Sequence, residues 1–227
     1  ITLQKYGITC TTFDLSELVF RVGKYSDDDA RVVERKARLK DYTNCSRVPE
    51  DKMNALAKIS VVIDDFIAEY QLDCITLRCW EELQPIFGIA PCVLLSELND
   101  RGITAACEVD LCSAINMYSM QLASQTPATC LDWNNNYGSD PDKVILFHCG
   151  PVPQSLMVEK GTVTDHKMFA KTCPGCGWGS NEGRIAAFDF TYSNCKTEDG
   201  KLTVYMDEGT FTGEEIEPEF FGCAGVA

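Results

Sequence analysis

Three residues in one stretch of the chain carry side chains suited to chemistry on a small polar substrate: Glu108, Asp132 and His148. Each sits at the end of a short apolar run. Glu108 ends the strand-like run Ile103-Thr104-Ala105-Ala106-Cys107 and opens a helix. Asp132 follows Ala128-Thr129-Cys130-Leu131, and His148 ends Val144-Ile145-Leu146-Phe147. Active-site groups are commonly held at the mouth of a rigid element in this way. Two carboxylates and one imidazole also form a donor set for a divalent cation that must keep positions open for substrate. Oxygen-rich ligands with at most one nitrogen favour Mn²⁺ or Mg²⁺ over zinc. Each residue has a plainer reading as well. Glu108 can be a cap or a partner for a helix dipole, Asp132 can organise a turn, and His148 can be a satisfied structural histidine. Taken singly the plainer readings are preferred; three such residues in one short segment favour a site.

The elements that must position these groups follow from periodicity. Up to Ala123 the chain is rich in helical patterns. Residues 12–25 and 27–42 read as helices, the second highly charged and expected on the surface. Pro49 is placed to start a third helix, in which Met53, Leu56, Ser60, Ile63, Ile67 and Tyr70 share one face. Cys74-Ile75-Thr76-Leu77 reads as a buried strand, residues 81–87 and 93–99 as short helices, and residues 103–107 as a second strand. Leu111, Ile115, Tyr118 and Leu122 mark the buried face of the helix after it. Strand alternating with helix predicts a parallel, Rossmann-like sheet covered on both sides, over residues 1–123. After that the texture changes. Residues 144–147, 184–192 and 202–206 are strand-like, and Glu198-Asp199-Gly200-Lys201 is a hairpin signal. Residues 124–227 are therefore expected to form an antiparallel β-barrel or sandwich, with Glu108 and Asp132 meeting at the cleft between two domains.

Composition narrows the function. Hydrophobic content of 45% and charged content of 24% are ordinary for a globular chain. A formal net charge of -14 argues against nucleic acid, whose phosphates need a basic face. No apolar run is long enough to cross a membrane. The 13 cysteines are odd in number, and most lie among apolar residues, as small hydrophobes do in a reducing compartment; a cytoplasmic location is expected. Cys173-Pro-Gly-Cys176 lacks a second pair at zinc-ribbon spacing, and the Gly-Trp-Gly-Ser after it opposes a helix-opening redox motif. It reads as a loop with incidental cysteines.

Four segments carry a resemblance: CWEELQPIFGIAPC (residues 79–92), GITAACEVD (102–110), LDWNNNYG (131–138) and FHCGPVP (147–153). In this order they resemble the core of the L-fucose isomerase and L-arabinose isomerase superfamily, more closely its fucose-isomerase-like branch. The resemblance extends more weakly over nearly the whole chain. It implies a metal-dependent aldose–ketose isomerase acting on a sugar such as L-fucose or D-arabinose through an enediolate. Glu108 and Asp132 match the family's metal-binding carboxylates and its acid–base pair. His148 matches a ligand histidine of the arabinose branch. In the fucose branch the ligand histidine lies much closer to the C-terminus, whereas the two histidines here are His148 and His166.

The resemblance implies Mn²⁺ or Mg²⁺, a monosaccharide substrate, and a homo-oligomer in the full-length protein. Family members are about twice as long, so the chain, which starts at Ile1 and stops at Ala227, is expected to be an internal fragment: an α/β domain plus a partial barrel, inactive alone. Trp80 and Trp133 can offer apolar faces to a sugar or serve as core. Asn134, Asn135 and Asn136 can bond hydroxyls or make a turn. The competing function is a non-catalytic sugar-binding or assembly module of the same fold, which has no need of two convergent acids and a metal.

Overall fold

The computed structural model describes residues 3–216 and 222–227. Its first part is mainly helical. Helices α1 (Leu15–Val22) and α2 (Ala30–Tyr42) start three residues later than periodicity suggests, because Asp14 and Asp29 take the N-cap positions and accept the N–H of Ser16 and Arg31. Helix α3 (Glu50–Tyr70) follows Pro49, carries Glu50 and Asp51 in its first turn where they meet the helix dipole, and ends at Gln71 in a left-handed conformation. Strand β1 (Cys74–Leu77) and helices α4 (Leu83–Phe87) and α5 (Cys92–Asp100) come next. Strand β2 (Thr104–Cys107) and helix α6 (Leu111–Ser124) complete this part.

Strands β1 and β2 pair in parallel, Cys74 opposite Thr104 and Leu77 opposite Cys107. The expected parallel sheet thus exists but has two strands, with α5 and α6 packed beside β2. Helix α2 lies at the surface as expected, burying only Val32 and Leu39, yet several of its charges reach partners on α3 and α5. Glu97 of α5 is 2% exposed, and its carboxylate pairs with Arg38 at 2.7 Å, Arg101 at 3.2 Å and Arg35 at 3.6 Å. Arg35 and Arg101 also bind Asp64 of α3. A carboxylate so deeply placed requires this company, since an unpaired buried charge costs several kcal/mol.

The second part holds β3 (Asp132–Asn136), β4 (Val144–His148), β5 (Thr162–Asp165), the short helix α7 (Lys167–Ala170) and β6 (Trp178–Arg184). A long hairpin, β7 (Phe188–Glu198) with β8 (Lys201–Phe211), precedes β9 (Cys223–Val226). Five strands form one sheet in the order β3-β4-β9-β6-β5. This is not the expected antiparallel barrel. The sheet is open and mixed, because β9 enters between β4 and β6 and runs parallel to β6. Among the described residues the hairpin pairs only with itself, closed by Asp199 and Gly200 with φ of 48° and 74°, the geometry a two-residue turn demands. The strand expected over residues 184–192 is two elements, because the chain leaves the sheet at Ile185-Ala186-Ala187.

The parts are laced together by backbone. Ala90 N–H donates to the Trp178 carbonyl at 2.9 Å, and Trp178 N–H returns to Gly88 at 3.2 Å. Asn44 does the same with Gly161 and Val163 at 3.0 and 2.9 Å. Val163, and Trp178 beside it, pack into the main core formed by α1, α3, α5 and β2. A second core under the sheet gathers Val144, Leu146, Val152, Met157, Ile185, Phe211 and Cys223. Among the described residues no helix is long and apolar enough to cross a membrane.

Candidate functional site

Glu108 lies immediately beyond the buried strand β2, but it does not open the following helix. Asp110 takes that role, accepting the N–H of Ser113 at 2.9 Å and its hydroxyl at 2.6 Å. Glu108 and Val109 both hold left-handed backbone, with φ of 63° and 60°, a conformation a β-branched residue rarely adopts. Strain of about 1–3 kcal/mol per residue persists only where surrounding structure enforces it, and such residues cluster at functional sites. The twist leaves the Glu108 carboxylate exposed at the strand mouth, where Trp80 Nε1–H donates to Oε1 at 3.3 Å.

Asp132 is the first residue of β3, opposite Phe147 of β4, so it belongs to a strand rather than a turn. The ladder slips between Trp133 and Asn135, which leaves Asn134 at a bulge. Asp132 through Asn136 are all exposed. His148 ends β4 at 4% exposure, and its Nδ1 accepts the backbone N–H of Cys149 at 2.9 Å.

The three predicted residues share one electrostatic neighbourhood. Burial holds the His148 imidazole below its ordinary pKa, and the charges of Asp132 and Glu108 both pull the other way. A neutral imidazole, the form a metal requires, is thereby favoured near neutral pH. The Cys130 thiol is pushed up to about 11, first by burial and then by Asp132, Asp110 and Glu108. Glu108 and Asp132 have no ion-pair partner among the described residues, and their charges both act on one buried imidazole. The donor chemistry fits Mn²⁺ or Mg²⁺. Glu108, Asp132 and His148 do not form a closed cage, however: neither carboxylate belongs to a triplet whose ligand atoms all lie within 4.8 Å of one another, and His148 falls in one with Cys107 and Cys149.

The two tryptophans take different places. Trp80 stands over the Glu108 side, edge-on to Phe169 at 4.8 Å and to His166 at 6.4 Å. Trp133 is 68% exposed and meets Tyr192 of β7 at 6.1 Å, so it is not core.

Sequence reading missed what lies beneath. Cys79, Cys92, Cys107 and Cys149 meet there, with Cys79 Sγ 3.2 Å from Cys107 Sγ and Cys92 Sγ 3.5 Å from Cys149 Sγ. The Cys149 thiol is 3.2 Å from His148 Nδ1. A hydrogen bond to Cys149 and burial raise the Cys107 thiol well above its ordinary range, and its bond to Cys107 with burial does the same for Cys79. His166, 1% exposed, is pushed down to about 4 by burial, with the nearby His148 adding to the effect. The signal was present in the sequence: Cys107 adjoins Glu108, and Cys149 adjoins His148. The CxxC motif does fall in a loop, but the structure joins Cys173 to Cys176, so these two are not incidental.

No family model matches the chain. Similarity to individual proteins is found instead. The relatives are proteins named sulfoquinovose isomerase. That of Priestia megaterium is 25% identical over 177 residues, covering 75% of this chain and 39% of the relative. That of Clostridium sp. (strain MSTE9) is 24% identical over 156 residues, covering 68% of this chain and 34% of the relative. The chain therefore spans little more than a third of the length of the proteins it matches.

Proposed function

We propose that the chain carries the carboxylate pair of an aldose–ketose isomerase, and that the protein it represents interconverts an open-chain aldose and its ketose. The observation that supports this reading is electrostatic: the charges of Glu108, just past β2, and Asp132, on β3, both act on the buried His148, and neither carboxylate has an ion-pair partner among the described residues. The names of the relatives support the same class. The narrower assignment to the fucose-isomerase branch has no such support, and sulfoquinovose joins L-fucose and D-arabinose as a substrate to assay.

Glu108, Asp132 and His148 would hold a divalent ion, Mn²⁺ or Mg²⁺, which when bound supplies Lewis-acid stabilisation to negative charge on the sugar oxygens. One carboxylate takes the proton from C2 of the aldose and returns it to C1, while the O2 hydroxyl proton passes to O1, leaving the ketose. Trp80 fixes the Glu108 side chain through its indole N–H. The exposed Trp133 ring offers a face to the sugar, and Asn134 and Asn135, beside the bulge, offer amides to hydroxyls. The neutral His148 completes the donor set without adding positive charge.

The test is made in the full-length protein. Glu108→Gln and Asp132→Asn each conserve volume while removing a charge and a proton carrier, and should lower turnover by at least about 10²-fold. Their circular dichroism should be unchanged. Turnover near the unmodified rate in either variant, with Mn²⁺ present, would sink the reading. Sugar binding that survives both substitutions, with no turnover in the unmodified protein, would favour a non-catalytic sugar-binding module instead.

A further inference from the structure

Beneath the carboxylates lies a donor set of another kind. Cys92, Cys149 and His166 place one ligand atom each within 4.8 Å of one another. They come from three elements: the first residue of α5, the residue after β4, and the N-cap of α7. Cys92 and His166 are each 1% exposed. We propose that Cys92, Cys149 and His166 form a binding site for a thiophilic divalent cation of the zinc type, separate from the carboxylate site. The assignment does not rest on the isomerase reading.

Geometry and charge both favour it. Sulfur ligands around tetrahedral zinc lie about 2.3 Å from the ion, hence somewhat under 4 Å from one another. The Cys92 and Cys149 sulfurs are already 3.5 Å apart, so little movement is needed to admit the ion. Two thiolates neutralise a dication, and the imidazole adds no charge, so the filled site is neutral in a dry interior where a net charge would be costly. Hard ions such as Mn²⁺ and Mg²⁺ prefer oxygen, so the two donor sets discriminate between metals by softness.

A second triplet shares Cys149: Cys107, His148 and Cys149 also lie within 4.8 Å of one another. The first is preferred because of what the imidazoles are already doing. His148 Nδ1 already accepts the Cys149 N–H at 2.9 Å, and the same nitrogen is the one 3.2 Å from the Cys149 thiol, so that triplet would have to give up this bond to take an ion. Binding balances as one dication taken up and two thiol protons released, with no change of oxidation state.

The experiment uses the 227-residue chain, reduced with a phosphine and stripped of metal, then titrated with Co²⁺ as a spectroscopic stand-in for Zn²⁺. One equivalent should give a near-ultraviolet thiolate-to-cobalt band of two-sulfur intensity, release about two protons, and be displaced by Zn²⁺. Cys92→Ser and His166→Asn should each weaken binding by more than about 100-fold, since even outer-shell changes cost 10–100-fold. Cys107→Ser should keep the band, and so should Glu108→Gln, which separates this site from the carboxylate site. Absence of the band and of proton release in the unmodified reduced chain would overturn the proposal. So would loss of the band in Cys107→Ser with retention in Cys92→Ser, which would assign the ion to the other triplet. Should Cys92→Ser fail to fold, His166→Asn makes the same distinction, since the other triplet does not contain His166.

Discussion

Gly179 is where a single methyl group should do most damage, and the size of that damage can be worked out from the structure. Its φ is +136°, and a Cβ built on it would overlap the carbonyl oxygen of Ala90, 3.0 Å from the carbonyl carbon and 3.3 Å from Leu56 Cδ2. The obstacle is backbone, so no side chain can swing aside. Ala90 is also the residue whose N–H bonds Trp178, the contact that laces α5 to β6. Three costs therefore combine in Gly179→Ala: about 1–3 kcal/mol for a backbone conformation that L residues rarely adopt, about 1–3 kcal/mol for overpacking, and about 1 kcal/mol for each of the two lacing bonds if they yield. A loss of about 2–8 kcal/mol is expected, a large part of the stability of an ordinary domain. Gly138→Ala is the control: its φ is +59°, but a Cβ there meets nothing within 4 Å, so only the backbone cost should remain. Urea unfolding of the two variants and the unmodified chain reads both numbers. A loss below about 1 kcal/mol for Gly179→Ala, or one equal to that of Gly138→Ala, would refute the claim that close packing at this crossing is tight.

Three further outcomes are expected. Asn99 accepts the Ala105 N–H at 2.8 Å and donates to the carbonyls of Ala105 and Pro151 at 3.0 and 3.3 Å; Asn99→Asp sets a buried carboxylate against two carbonyls and should cost about 3 kcal/mol or more in denaturant unfolding. Val109→Gly should be neutral or stabilising by up to about 1 kcal/mol, because relief of a left-handed β-branched residue, about 1–2 kcal/mol, exceeds the entropy cost of glycine and the Val109 side chain is exposed; a clear loss in the same assay would count against strain at this turn. Burial pulls the Asp65 carboxyl upward, but hydrogen bonds from Arg31 and Tyr25 outweigh it and leave it below its ordinary value. Its contribution is then present above about pH 4 and lost as pH falls through the lowered value, so the stability gap between the unmodified chain and Asp65→Asn should close in acid unfolding below that point.

How much could be read beforehand depended on whether local chemistry or distant pairing decides an element. Helix α3 was legible because its apolar face repeats at helical spacing after a proline that favours helix starts, and the hairpin turn because Asp-Gly tolerates the two positive φ values that a tight turn needs. Strand β3 was not, since Asp-Trp-Asn-Asn-Asn has the composition of a turn and becomes a strand only through its ladder with β4. Helix α2 was legible as a charged surface helix, but the partners of its charges, Asp64, Asp65 and Glu97, lie far along the chain and were not. At the site, the carboxylates and His148 were visible as polar groups ending apolar runs. The capping role first open to Glu108 went to Asp110, whose pairing with Ser113 three residues on is itself a readable signal. The cluster of thiols was half legible: Cys107 and Cys149 adjoin Glu108 and His148 in the sequence, whereas Cys79 and Cys92 join them only through the folding of the loops and helices between.

The position of β9 has a consequence for the order in which the sheet can be assembled. Residues Cys223–Val226 are the middle strand, bonded to β4 on one side and β6 on the other, yet they follow both by many residues and are separated from them by the whole β7–β8 hairpin. Before they arrive, β4 and β6 each present an open backbone edge to a gap one strand wide, the kind of edge that recruits foreign strands. Closing that gap is a late, long-range event and should set the pace of folding. A chain halted before Gly222 would leave the strand that ends in His148 without its neighbour, and a short peptide carrying residues 222–227 would be the natural donor to fill the slot by strand addition.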